Sequence, residues 1–124
     1  DPEAVLTARE NARLNGIGSH LRLYEGPGVR HALADRSRRF DVVFANILAR
    51  PLKKLAPTLT AVVADDGILI LSGLIERDVP GVLSTYRHRG FHLARMGVIE
   101  GWATLVLRRG GAAPRVVARR RYAA

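Results

Sequence analysis

The chain has 124 residues, 48% of them apolar, which suits one domain with a core of modest size. It holds no cysteine, which excludes disulfides and thiolate metal sites, and no apolar run nears the roughly 20 residues that span a bilayer. The formal charge of +9 points to anionic partners, but residues 108–124 carry six arginines and no acid, so most of the excess belongs to the tail.

The elements follow in chain order. Asp1-Pro2-Glu3 opens a helix with an N-cap acid, a proline where its missing N–H is harmless, and a carboxylate at the positive dipole end. Val5, Leu6, Ala8 and Ala12 carry its apolar stripe and Asn15-Gly16 stops it. A helix capped at the first residue is an unusual natural start and suggests that sequence precedes it. Leu21 to Tyr24 reads as a short strand ended by Glu25-Gly26-Pro27-Gly28, and Val29 to Asp35 as a brief helix. Phe40 to Ile47 is an apolar, β-branched run of the kind buried on both faces of a parallel sheet.

Leu52, Leu55, Ala56, Leu59, Val62 and Val63 trace a helical stripe, with Pro51 in its first turn and Pro57 expected to bend it. Asp65-Asp66-Gly67 turns the chain into a second buried strand, Ile68 to Leu71, and the small pair Ser72-Gly73 lets the backbone leave the sheet. Val79, Val82, Leu83 and Tyr86 mark a helix stopped by Gly90. Phe91 to Ile99 and Trp102 to Leu107, separated by Glu100-Gly101, form a hairpin. Strands alternating with helices and closing on an antiparallel pair predict an open α/β sheet.

In such sheets ligands bind beyond the carboxyl ends of the strands. Asn46, the polar residue closing an apolar strand, is therefore the candidate site residue: its amide can orient a ligand's amine or carboxylate, or it can simply cap the next helix. Glu25 sits where a strand would present it to a nucleoside, or is a solvated turn acid. Gly16-Ile17-Gly18 follows a helix, the reverse of a phosphate loop, and Pro27 spoils Gly26-Pro27-Gly28 for that role. Ser72 lacks a nucleophile-elbow setting. His20, His31, His88 and His92 are scattered without ligand spacing, so no metal is expected, and Trp102 and Tyr86 read as core.

Four segments together resemble one family. Asp1-Pro2-Glu3-Ala4-Val5 with Ala8-Arg9-Glu10-Asn11-Ala12 and Asn15-Gly16 is similar to the segment after the second strand of class I methyltransferases. Phe40 to Ala49 resembles the fourth-strand motif in its Asn-Ile-Leu-Ala form, and Leu71-Ser72-Gly73-Leu74 and Glu100 to Leu107 match as well. In combination they resemble the ribosomal protein L11 methyltransferases over about residues 1–108. The resemblance implies a Rossmann-like α/β sheet, parallel with a carboxy-terminal antiparallel hairpin and here lacking its first two strands. It implies S-adenosylmethionine as cofactor, Asn46 as cofactor-contacting residue, a ribosomal protein as substrate, and methylation of lysine and α-amines. The glycine-rich loop and the ribose-binding acid of the family would lie ahead of Asp1.

The division expected is a partial catalytic domain over 1–108 and a basic, disordered tail over 109–124, the only part suited to touching nucleic acid. Without its first strands the sheet would have a gap: the strand near Leu21 either pairs with Val42 and Val43 or detaches and leaves an exposed edge. On this reading the chain alone is inactive and binds cofactor poorly. With neither membrane span nor leader pattern, the cytoplasm is the expected compartment. The rival reading is a non-catalytic basic α/β module that binds RNA or the ribosome, with binding that weakens steeply in salt.

Overall fold

The protein is seen here as a computed structural model that describes residues 1–29, 39–110 and, as backbone, 118–122. Helix α1 (Pro2–Leu14) begins as its sequence dictates, with Asp1 Oδ1 accepting from the backbone N–H of Glu3 at 3.1 Å and of Ala4 at 3.5 Å. A single 3-10 turn, Gly18–His20, follows. Leu21 to Glu25 then runs without secondary structure, so the strand expected at Leu21 to Tyr24 is not formed. A strand needs a neighbouring strand to pair with, and among the described residues no strand pairs with this segment. The helix expected over Val29 to Asp35 lies almost wholly outside the described residues.

The body of the molecule is a sheet of β1 (Phe40–Asn46), β2 (Val63–Ile75), β3 (Phe91–Ile99), β4 (Trp102–Arg109) and β5 (Ala118–Tyr122), in the order β1-β2-β4-β3-β5. β1 and β2 are parallel, with Val42 opposite Ile68 and Asn46 opposite Ser72. β4 is antiparallel to both β2 and β3, as the hairpin signal required. Its turn is held by positive φ at Glu100 (48°) and Gly101 (80°), the left-handed pair that a two-residue hairpin demands.

Two helices, α2 (Ala49–Val62) and α3 (Val79–Arg87), follow the carboxyl ends of β1 and β2. Their apolar faces, Leu52, Ala56 and Leu59 on one and Val79, Val82, Leu83 and Tyr86 on the other, close a single core with Leu69, Leu71, Leu93, Leu105 and Leu107 of the sheet. Tyr86 is fully buried, and its hydroxyl donates to the carbonyl of Leu52 at 2.9 Å, fastening α3 to α2. Burial pushes the Tyr86 phenol well above its ordinary pKa, against a smaller lowering by Arg89. The opposite face carries no described helix, and there Val42 and Phe44 are 56% and 63% exposed.

Two sequence expectations change here. Asp65-Asp66-Gly67 is not a free turn: α2 passes directly into β2, and the three residues form an excursion within the strand, since Phe40 is opposite Val63 while Val42 is opposite Ile68. Gly67 is required there, because a Cβ would meet Val63 Cγ1 at 2.7 Å and the Ala64 carbonyl oxygen at 2.9 Å. The tail is also not uniformly loose. Arg109 belongs to β4, and Ala118–Tyr122 pairs in parallel with Arg95 to Ile99 of β3, because the open edge of β3 offers unpaired backbone groups.

Candidate functional site

Asn46 closes β1 at the carboxyl edge of the parallel pair. Strand alternation puts it on the open face with Val42 and Phe44, while Val43 and Ala45 pack against the core. Its side chain is exposed and makes no hydrogen bond among the described residues. The capping alternative falls: the N-cap of α2 is Leu48, with no side-chain cap. Beside Asn46 the register of β2 shifts between Leu71 and Leu74, and Gly73 takes φ +76°. A Cβ on Gly73 would lie 2.9 Å from Asn46 Oδ1 and 3.0 Å from the Ile47 carbonyl oxygen. Glycine at 73 thus lets β2 approach the amide closely.

The other candidates separate from this point. Ser72, opposite Asn46, receives a long hydrogen bond of 3.5 Å from Thr104 Oγ1. Glu25 lies in the stretch without secondary structure before the Gly26 turn rather than at a strand end, and is engaged in an interaction of its own. His88 and His20 make local contacts, to the Ser84 carbonyl oxygen at 2.7 Å and to Ser19 Oγ at 3.3 Å, and His31 is outside the described residues. Among the described residues no three His, Asp or Glu side chains gather as metal ligands.

Trp102 was expected in the core but is 53% exposed. It is the first residue of β4 and shares the open face with Thr104 and Val106, leaving Ala103, Leu105 and Leu107 to the core. Trp102 borders two cavities. One, of about 440 Å³, lies on the open face over Ser72, Arg95, Gly97, Ile99 and Thr104. The second, of about 390 Å³, wraps the carboxyl edge at Leu48, Arg50, Lys53, Gly73, Arg77 and Asp78. Sequence reading missed this second cavity because its basic residues are dispersed; the usable signal was that Arg50 and Arg77 each lie within a few residues of a strand's carboxyl end.

The family model for ribosomal protein L11 methyltransferase matches residues 1–110. The chain belongs to the ribosomal protein L11 methyltransferase family. Among curated members, those of Bradyrhizobium diazoefficiens and Rhizobium rhizogenes are 42% and 43% identical to it, over 90% and 88% of this chain. Those alignments cover 38% and 37% of the two relatives, so the chain spans well under half the length of the L11 methyltransferases it matches. The solved ribosomal protein L11 methylase of Lactobacillus delbrueckii subsp. bulgaricus superposes with a TM-score of 0.78 at 31% identity, over 90% of this chain and 55% of that one. The M1.HpyAVI–SAM complex, at 8% identity and TM-score 0.53, shares the fold alone. The match to the L11 methyltransferase model stops at Gly110, so β5 and the basic tail lie beyond it.

Proposed function

We propose that this chain is the carboxy-terminal part of an S-adenosylmethionine-dependent N-methyltransferase that acts on lysine and α-amines of a large-subunit ribosomal protein in the cytoplasm. Its sheet is read as the Rossmann-like class I methyltransferase sheet from the fourth strand onward, with the first two strands supplied by preceding sequence. What carries the reading is the family match over residues 1–110 together with an unengaged amide, Asn46, at the carboxyl edge of the parallel pair. Among the described residues no helix is long and apolar enough to cross a membrane.

The fit to the cofactor can be tested against the local geometry. An exposed amide with both donor and acceptor unpaired, facing a glycine that leaves it room, suits a polar contact to the amino-acid or nucleoside part of S-adenosylmethionine. When bound, that cofactor supplies a sulfonium methyl already activated toward in-line attack. The protein's task is then mainly positioning. The acceptor lysine, ordinarily protonated with a pKa of about 10.4, must present a neutral amine, which a desolvated site favours. Asn46 cannot take up that proton at neutral pH. Its role is orientation, through the amide oxygen toward an amine or ammonium and through its NH2 toward a carboxylate.

Fusing residues 1–124 behind the preceding portion of the Bradyrhizobium relative tests this. The chimera is expected to methylate ribosomal protein L11, and Asn46→Ala to lower its rate by about a hundredfold, the scale of a misplaced reacting group. A correctly folded chimera with no transfer would overturn the activity. The isolated chain is expected to bind S-adenosylmethionine weakly, and micromolar binding in a calorimetric titration would overturn that part.

A further inference from the structure

The cavity of about 390 Å³ at the carboxyl edge concentrates positive charge, with three cations against one acid. Arg50 and Lys53 come from the first turns of α2, Arg77 from the 3-10 turn before α3, and Asp78 is the sole acid among the lining residues. No ion pair joins Asp78 to any of the three cations among the described residues. Lys53 Nζ lies 3.9 Å from where a Cβ of Gly81 would be, so the ammonium stands over the first turn of α3, the positive end of its dipole. Neither α2 nor α3 has a side-chain cap; the Val79 N–H at the start of α3 is taken by the Glu76 carbonyl and Pro80 has none, so it is the start of α2, at Ala49 and Arg50, that presents uncapped N–H groups to the cavity. The backbone N–H of Glu76 donates to the Gly101 carbonyl at 3.2 Å, which ties the hairpin tip to this turn and sets the Trp102 ring in the wall.

Three cations and the uncapped start of α2 face one small cavity and repel one another, and an anion relieves that repulsion. We infer that this cleft binds a carboxylate side chain of the acceptor polypeptide, with Arg50, Lys53 and Arg77 holding the anion and Trp102 packing against its chain. The three cations are grouped around one small cavity rather than strung along a groove, which favours an acidic residue of a polypeptide over a nucleic-acid strand that needs an extended basic track. It abuts Gly73, and through Gly73 the Asn46 amide, so an acid held here would fix the register of the segment that presents the amine. That the ligand is the methyl acceptor rests on the proposed methyltransferase function; the binding of carboxylate does not.

Trp102 is the only tryptophan in the chain, so tryptophan fluorescence reports on the two cavities it borders, and the variants at Arg50, Lys53 and Arg77 assign a change to the basic cleft. The 124-residue chain is titrated with a short glutamate-rich peptide, its glutamine counterpart and an oligouridylate of matched length. The expected result is a saturable change with the glutamate peptide only, weakening as salt rises. Replacing Arg50, Lys53 and Arg77 together by glutamine should weaken binding about tenfold or more, while Arg50→Lys with Arg77→Lys retains most of it. All three side chains are exposed, so circular dichroism of the variants should match the parent. No discrimination between glutamate and glutamine, or unchanged binding in the triple variant, overturns the site; tighter binding of oligouridylate overturns the polypeptide assignment. Because no methyl transfer is measured, these results stand apart from the fate of the chimera.

Discussion

At the scale of single residues, Gly73 and Tyr86 make the sharpest demands. Gly73→Ala places a methyl 2.9 Å from Asn46 Oδ1 at φ +76°, so both the local backbone and the amide must shift. The expected cost is about 1–3 kcal/mol in chemical denaturation. In the chimera it should come with weaker cofactor binding, whereas Gly90→Ala, with a similar φ of +80° and no neighbour within 4 Å, should lose stability without that second effect. Tyr86→Phe removes the hydroxyl's bond to the Leu52 carbonyl and is expected to lose about 1 kcal/mol.

Tyr86 also sets a pH dependence. Its folded pKa is raised by burial, so the folded state holds the phenolic proton more tightly than the unfolded state. The stability this provides is fully present below the ordinary tyrosine pKa of about 10 and is lost as pH climbs from there toward the folded value. Denaturation midpoints should therefore fall above about pH 10 in the parent and fall less steeply in Tyr86→Phe. An equal slope in both would show that other groups govern alkaline unfolding.

Among elements, the join between α2 and β2 depends on a residue that sequence reading had assigned to the tail. With no loop between Val62 and Val63, the final carbonyls of α2 have no turn to satisfy them. Arg109 does so from β4, donating through Nη2 to the Thr60 carbonyl and, at 3.4 Å, to that of Val63. Its guanidinium stacks 4.9 Å from the Phe91 ring centroid. A chain ending at residue 108 should therefore be less stable than one ending at 110, by about 2–3 kcal/mol for lost charge-assisted hydrogen bonds, in urea denaturation. Arg109→Lys should recover little, since an ammonium lacks the planar fork that reaches two carbonyls while stacking.

What could be read from sequence divides along the same line. β1, α2, α3 and the β3–β4 hairpin were legible because each is specified locally, by an apolar run, a helical stripe or a two-residue turn. The strand at Leu21 failed because pairing is not a local property: Leu21 and Leu23 alternate correctly, yet among the described residues no strand pairs with them. β5 was missed for the converse reason, since Arg119-Arg120-Arg121 has poor strand propensity and pairs only because the β3 edge is open. Asn46 was found because a lone polar residue ends an apolar strand. The basic cleft was not, because Arg50, Lys53 and Arg77 converge only once both helices start from the same edge of the sheet.

At the scale of the whole molecule, the sheet is finished on one side and bare on the other. Its helix-covered face is closed, whereas the other shows Val42 and Phe44 on β1 and, farther across the sheet, Ile99 and Trp102, all more than half exposed, and β1 is paired only with β2 among the described residues. An apolar face joined to a free strand edge is a template for association through both backbone and side chains. The isolated chain is therefore expected to self-associate with rising concentration in light scattering. Val42→Lys with Phe44→Lys places charge on that edge without touching the core and should hold it monomeric. Basic repulsion cannot substitute, because the arginine excess lies mostly at the carboxy-terminal end, and β5 pairs at the far edge of the sheet from β1. The chimera, which restores preceding sequence, should stay monomeric even with Val42 and Phe44 intact, so a chimera that associates as strongly as the isolated chain would show that this face is not what the preceding sequence covers.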